Sequence, residues 1–162
     1  MQRIHYSGGM SWSRIIVFAL VLAWSGIAAE AASARIHKVL PHLLDLAERH
    51  TLSPSLYERD AYQAFLRKNP DRCSAIRFDI QWKARAPKAS PIRLRLELRT
   101  SKSNPVQPMV VEQTVTATRL FSRWTSIRIE GEAYRRMGDL IAWRATICQG
   151  DQPLAEQKSF LW

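Results

Sequence analysis

The histidines are the residues most able to perform acid–base chemistry or to bind a metal, and beyond residue 34 they all lie in one N-terminal segment. His37, His42 and His50 are separated by five and eight residues, so they do not occupy adjacent turns of one helix face as a zinc-binding pair would. No histidine follows His50, which leaves the rest of the chain without an imidazole base for a nucleophile. We therefore interpret these histidines as solvated or capping side chains and predict neither a metal site nor a cofactor.

One pair of acidic residues could serve catalysis. Glu130 and Glu132 are two residues apart and would share a face in a strand, where paired carboxylates can perform acid–base work or hold calcium. They have no third acidic partner nearby in sequence, and no G-x-S-x-G, phosphate-loop or C-x-x-C motif occurs. The sequence therefore favours a non-catalytic protein, and the alternative is a secreted hydrolase or carbohydrate-active enzyme with a carboxylate site.

The basic side chains are better suited to binding. Arg93, Arg95 and Arg99 alternate with apolar residues, so a strand would place them on one face, where guanidinium groups suit carboxylates, sulfates and phosphates. An ordinary solvated strand face, with Glu97 interleaved, is the alternative interpretation. A second unusual stretch lies at 156–158, where charged residues interrupt a strand-like pattern. These stretches give the candidate binding residues Arg93, Arg95, Arg99, Arg144, Glu156 and Lys158.

The chain has two cysteines, Cys73 and Cys148. Two cysteines in a small domain of an oxidising compartment pair more often than not, so a disulfide between them is a candidate. Both residues are out of phase with the apolar positions of their own strands. A bond between them would therefore join strand ends rather than cross the middle of the core.

The first 34 residues have the layout of a secretory signal peptide. Arginines without acidic residues precede an uncharged, largely apolar run at 15–29, and small residues follow it. Cleavage would follow Ala31 or Ala34. The apolar run is too short for a membrane-spanning helix, which needs about 20 residues. We therefore predict export to the periplasm, the cell envelope or the exterior, with membrane contact only through the signal peptide before cleavage.

The charge of the chain narrows the choice of partner. The net charge is +10, and cleavage after Ala34 would remove two arginines and one glutamate, leaving +9. An exported basic protein is drawn to anionic polymers or acidic partners through fields that salt screens. We expect an unknown protein or an anionic envelope polymer as the partner, and no nucleic acid in that compartment.

Residues 35–70 are predicted to form a helical segment. Apolar residues recur at three- and four-residue spacing over 36–47, which is a helical pattern, although Pro41 interrupts it. A second helix is better marked, because Ser55 and Glu58 form a capping box. We expect one or two N-terminal helices that pack on a sheet.

Residues 73–162 are predicted to form strands. Apolar and polar residues alternate over 76–84 and 92–99, and shorter strand-like runs follow. At the C-terminus, Gly150-Asp151 separates two further runs and suits a tight hairpin, because glycine adopts positive φ. The result is a single domain of about six antiparallel strands at 73–162, joined by the helical segment.

Strands 76–84 and 92–100 and the terminal hairpin together resemble an immunoglobulin-like or fibronectin-III-like module of an exported protein. The resemblance is at the level of the superfold and covers residues 73–162. It implies a mainly β fold, an antiparallel immunoglobulin-like β-sandwich, and a tendency towards binding roles. The chain departs from antibody domains at Thr146, where those domains carry a tyrosine two residues before the second cysteine.

The register of the terminal hairpin is left open. A two-residue loop would place Glu156 and Lys158 on the face of Trp143 and Ala145, whereas a three-residue loop would place Gln157 and Ser159 there. Neither register gives a wholly apolar face. An edge strand or a bulge would explain this break in the pattern.

Overall fold

The computed structural model describes residues 32–85, 91–103 and 107–162. In chain order its elements are β1 (Ser33–Asp45), α1 (Leu56–Lys68), a 3-10 turn (Pro70–Arg72), β2 (Cys73–Arg85), β3 (Ile92–Thr100), β4 (Met109–Val115), β5 (Thr118–Glu130), α2 (Gly131–Met137), β6 (Leu140–Gln149) and β7 (Gln152–Lys158). Nearly all of the predicted signal peptide lies outside the described residues. Among the described residues, no helix is both long enough and apolar enough to cross a membrane.

The strands form two antiparallel sheets. The three-stranded sheet has the order β1-β2-β5, and the four-stranded sheet has the order β4-β3-β6-β7. This arrangement confirms the predicted mainly β sandwich. It contains one strand more than the sequence patterns indicated, because the segment before α1 is itself a strand.

The helix expected over residues 36–47 is wrong, because this segment is β1. The strand pairs with β2 from Ser33 opposite Arg85 to Asp45 opposite Cys73, with a bulge at His37. The bulge inserts one residue, so apolar residues on either side of it are three apart while both face inward. That spacing imitates a helical pattern, and it explains the misassignment.

The second predicted helix is confirmed as α1. The Ser55 hydroxyl accepts a hydrogen bond from the Glu58 amide at its start. Gln63 attaches α1 to β1: its side-chain oxygen accepts from the Leu43 amide at 2.8 Å, and its nitrogen donates to the Leu43 and His50 carbonyls at 2.9 and 2.8 Å. At Leu43, the Gln63 amide thus takes the place of a neighbouring strand at the β1 edge.

The hydrophobic core lies between the two sheets. Its largest fully buried side chains include Phe78 and Trp82 of β2 and Leu94 and Leu98 of β3. The indole nitrogen of Trp82 donates to the Thr125 hydroxyl at 2.8 Å, so this buried polar group is satisfied. Because alternate residues of each strand face this core, the intervening side chains lie on the two outer faces.

The terminal hairpin combines the two registers that the sequence left open. Gly150 has φ 58° and the loop is Gly150-Asp151, with Gln149 opposite Gln152. A register shift then occurs at Leu154, after which Ala145 faces Gln157. A β-bulge in an edge strand is therefore the physical reason for the broken pattern.

The two cysteines are free, which corrects the disulfide that the sequence suggested. Cys73 begins β2 at the end of the sandwich occupied by α2, where it shares a hydrogen bond with Tyr134. Cys148 is the penultimate residue of β6, the strand that leads away from α2. At about 3.3 Å per residue, β6 carries Cys148 roughly 25 Å from that end. No disulfide spans this separation.

Candidate functional site

The structure brings the predicted binding residues together on the outer face of the four-stranded sheet, which we call the arginine face. Register places Arg95 of β3 beside Thr146 of β6, and Glu97 beside Arg144. In turn, Thr146 faces Glu156 on β7. The arginine face comprises Arg93, Arg95, Arg99, Arg144, Glu156 and Lys158, with Glu97, Glu112 and Asp151 beside them.

Glu97 is the centre of the arginine face. Its carboxylate is buried and accepts a hydrogen bond from the Arg144 Nε at 2.6 Å and from Arg95 at 3.4 Å. The hydrogen bond from Arg144 lowers the pKa of Glu97, although burial opposes this shift. Glu97 therefore stays ionised, and its charge offsets those of the two arginines above it.

The other basic groups of this face have partners as well. Arg93 lies 3.4 Å from the Glu112 carboxylate, 3.2 Å from Asp151, and donates to the Gly150 carbonyl at 2.6 Å. Lys158 lies 4.0 Å from Glu156. These ion pairs leave little net positive charge for a ligand.

The C-terminal residue Trp162 covers part of the arginine face. The guanidinium carbon of Arg99 lies 4.4 Å from the centre of the Trp162 ring, and that of Arg144 lies 4.7 Å away. These are cation–π distances. Among the predicted binding residues, Arg99 has no carboxylate partner in the described part of the chain. Its guanidinium group packs on the Trp162 ring instead.

Cations without acidic partners lie instead on the outer face of the three-stranded sheet. Register places Lys38 of β1, Gln81 of β2 and Trp124 of β5 in one row across the sheet. The next rows towards the β1 start pair Arg35 with Lys83 and Ser33 with Arg85. We call this region the basic face, and it comprises Arg35, Lys38, Lys83, Arg85, Gln81 and Trp124.

None of the four cations of the basic face has a carboxylate within ion-pairing distance in the described part of the chain. Arg35 and Lys83 also line an open cavity of about 180 Å³ together with Ser33, Ala34 and Arg85. Trp124 has 52% of its surface exposed. The basic face thus offers uncompensated positive charge beside an accessible aromatic ring.

One signal of the basic face is present in the sequence of β2. Gln81, Lys83 and Arg85 alternate with the buried Ile80 and Trp82 along β2, so they must share the outer face. The sequence pattern of β1 does not show its contribution, because the bulge at His37 gives that segment a helix-like spacing. Its cations consequently had no predicted position relative to β2.

The opposite end of the same outer face carries a histidine cluster. The rings of His42 and His50 lie 4.9 Å apart, and Nε2 of His42 lies 3.8 Å from the Asp79 carboxylate. Asp79 also accepts from the Ser126 hydroxyl at 2.6 Å and from Arg77. Here the carboxylate stands between serine and histidine, whereas an activated nucleophile needs the imidazole beside the hydroxyl. This order does not activate Ser126.

A larger cavity of about 530 Å³ lies at the helical end of the sandwich. Its walls include Leu43, Leu66 and Met137, and Asp139 is the one acidic residue among its lining side chains. The polar atoms of Gln63, which also lines it, are already hydrogen-bonded to backbone groups. Within the described residues, the cavity therefore presents no pair of carboxylates.

The glutamates that the sequence offered for catalysis do not converge. Glu130 and Glu132 are both exposed, and each forms an ion pair with an arginine of its own element, Arg128 and Arg136. In the part of the chain that the structure describes, no group of three His, Cys, Asp or Glu side chains is arranged to hold a metal ion.

Comparison with known proteins yields no family. No protein-family model matches the chain, and no curated protein matches it. It is similar to two crystal structures of a beta-glucosidase from Kluyveromyces marxianus, one selenomethionine-labelled and one in complex with glucose, at 10% identity and TM-scores of 0.35 and 0.31. The match covers 80% of this chain but 14% and 13% of the glucosidase chains. A likeness this weak supports no statement about function.

Proposed function

We propose that the protein is an exported, non-catalytic β-sandwich module of the fibronectin-III-like type that binds an anionic partner through the basic face. The observation that carries this proposal is the set of four cations without described acidic partners, Arg35, Lys38, Lys83 and Arg85. The partner is an acidic protein or an anionic envelope polymer. Binding, rather than turnover, is the role of the surface.

The strand order supports the fibronectin-III-like assignment. Strands β1, β2 and β5 share one sheet and β3, β6 and β7 lie in the other, as strands A, B, E and C, F, G do in immunoglobulin-like sandwiches. The additional strand β4 pairs with β3, so it extends the C-F-G side. The architecture itself implies no partner, so the proposed binding role rests on the basic face.

The clustering of the four cations is the physical reason to expect an anionic ligand. Along β2, Lys83 and Arg85 are two residues apart, which is about 7 Å, and β1 adds Arg35 and Lys38 at an inter-strand spacing of about 4.8 Å. Neighbouring charges of this cluster are separated by about the screening length of 8 Å at physiological salt, or by less. No acid among the described residues relieves their mutual repulsion, so an anion that binds here is attracted by several charges together.

Processing of the signal peptide would strengthen this field. Cleavage after Ala31 would place the new terminal ammonium next to Ser33, which is opposite Arg85, and cleavage after Ala34 would place it on Arg35, which is opposite Lys83. An α-amino group has a pKa near 8 and is mostly protonated at neutral pH. The basic face would then carry a fifth positive charge.

Two triple variants with the same change in net charge test the proposal. The first replaces Lys38, Lys83 and Arg85 with glutamine, and the control replaces Arg93, Arg95 and Arg99 with glutamine. On a heparin column we expect the first variant to elute at clearly lower salt than the wild type, because each replaced cation removes about one counterion-releasing contact. The control should shift less, since Arg93 and Arg95 are already paired with carboxylates.

The outcomes separate the two faces. Unchanged elution of the Lys38/Lys83/Arg85 variant would refute binding through the basic face. Equal shifts of both variants would show that net charge alone determines retention, and a larger shift of the arginine variant would transfer the site to the arginine face. The carboxylate site of a secreted hydrolase, the alternative drawn from the sequence, has no supporting geometry among the described residues.

A further inference from the structure

We propose that the ligand of the basic face is an acidic polysaccharide and that one of its sugar rings stacks on Trp124. This inference rests on the proposed function and specifies its ligand. It is carried by the row Lys38–Gln81–Trp124, which crosses the three-stranded sheet on its outer face. In this row a cation, an amide and an aromatic ring stand side by side at about 4.8 Å per strand.

Each member of the row matches one part of an acidic sugar. The indole face of Trp124 suits the apolar C–H face of a pyranose ring. The side-chain amide of Gln81 provides both donors and an acceptor for hydroxyl groups, and it has no hydrogen-bond partner of its own among the described residues. Lys38, together with Lys83 in the next row, provides charge for a carboxylate or a sulfate.

The surroundings of Trp124 leave its ring accessible. Trp124 is 52% exposed, and β5 is the edge strand of its sheet among the described strands. The neighbouring outward residue on β5, Ser126, is small and is directed to Asp79 by a hydrogen bond of 2.6 Å. An extended polysaccharide can therefore lie along this row, from Trp124 on β5 to Lys38 on β1.

A polysaccharide fits this surface better than a single-stranded nucleic acid. Proteins that bind single strands place several aromatic platforms under successive bases along a basic groove. Along the row that Trp124 ends, the other two positions hold an amide and a cation instead. The predicted export of the chain also favours a carbohydrate.

The test compares three polyanions on the purified protein: a heparin oligosaccharide, inorganic polyphosphate and oligothymidylate. The variant Trp124→Leu keeps an apolar side chain and removes the ring. We expect it to weaken heparin binding by about 5- to 150-fold, the range that follows from losing one stacked ring, and to change polyphosphate binding by less than about twofold. Trp124→Phe should recover part of the heparin affinity.

The matched control is Trp162→Leu, because that ring lies on the arginine face between Arg99 and Arg144. It should weaken the binding of none of the three polyanions. Heparin binding that does not depend on Trp124, or an equal loss for heparin and polyphosphate, would overturn the stacking inference. A larger loss for oligothymidylate than for heparin would identify a nucleic-acid ligand instead.

The same data distinguish this inference from the proposed function. If the Lys38/Lys83/Arg85 triple variant binds all three polyanions as the wild type does, the proposed function itself fails. Alternatively, the triple variant weakens the binding of all three polyanions and Trp124→Leu weakens the binding of none. In that case the basic face is still an anion-binding surface, and only the polysaccharide inference is refuted. Urea unfolding of each variant shows whether the sheet is intact.

Discussion

Replacing Glu97 with glutamine tests whether ion pairing neutralises the positive charge of the arginine face. Glu97 is buried and bonded to Arg144 at 2.6 Å and to Arg95 at 3.4 Å. A hydrogen bond between charged groups contributes about 1.5–3 kcal/mol. The amide of Glu97→Gln keeps an acceptor oxygen, and the long contact to Arg95 adds little. We therefore expect the free energy of unfolding to fall by about 2 kcal/mol.

The pH dependence gives this prediction a clear sign. Hydrogen bonding from Arg144 lowers the pKa of Glu97 in the folded protein. A carboxylate with a lowered folded-state pKa stabilises the fold above its unfolded-state pKa of about 4.3, and that contribution is lost as pH falls through the folded-state value. The difference in the free energy of unfolding between the wild type and Glu97→Gln should consequently become smaller as the pH falls from 5 to 3.

Urea unfolding at pH 7, 5 and 3 measures both effects, and Glu112→Gln is the control. The Glu112 carboxylate is 37% exposed and lies 3.4 Å from Arg93 and 3.8 Å from Arg95, so its loss should cost less than about 0.5 kcal/mol. On a heparin column, Glu97→Gln should also elute later than the wild type. Equal destabilisation by the two variants, or a pH-independent difference, would refute the reasoning.

Three further predictions concern the rest of the fold. Gln63→Leu should lower the free energy of unfolding by about 2–4 kcal/mol in urea titrations, because backbone groups of β1 and of His50 lose their partner. Without reductant, two free thiols should be titratable after unfolding, and in the native protein Cys148 should be alkylated faster than the buried Cys73. Burial is the main cause that lowers the pKa of both His42 and His50, so the unfolded chain binds more protons. Stability measured by urea unfolding should therefore fall as pH drops below about 6.5, and His42→Gln should flatten this dependence.

The sandwich itself was predictable because most of its strands obey a simple period. In β2 from Ile76 onwards, and in β3, apolar residues alternate and face one core, so the sequence pattern and the structure coincide. The first strand was not predictable in this way. Its bulge at His37 changes the phase of the pattern, and a bulge is fixed by pairing with β2 rather than by any local signal.

The terminal hairpin shows the same limitation at smaller scale. The Gly150-Asp151 turn was evident from residue types, since positive φ is local chemistry. The register beyond it depended on a shift at Leu154, which is a property of how an edge strand pairs and twists. Sequence pattern alone therefore left two registers open, and the strand uses one on each side of the shift.

The candidate site was the hardest feature to predict, because the strength of a charged surface depends on pairing between distant strands. Arg93 and Glu112 are 19 residues apart and meet across β3 and β4, while Glu97 and Arg144 are 47 residues apart and meet across β3 and β6. The alternation of arginines along β3 correctly placed them on one face. It contained no information about the acids that the neighbouring strands would bring beside them.

The two outer faces show how one composition produces two different surfaces. On the four-stranded sheet, neighbouring strands bring acids beside most of the basic side chains, either in the same row or in the next one, so most of these charges are paired. On the three-stranded sheet, the acid and the unpaired cations of β2 lie at opposite ends of the strand. Asp79 lies at the end with the histidines, and Lys83 and Arg85 lie at the other end. Such separation leaves like charges together at a cost to stability. Among the described residues, most cations of the arginine face have acidic neighbours, whereas the four cations of the basic face have none. An anionic ligand would supply the negative charge that the basic face needs.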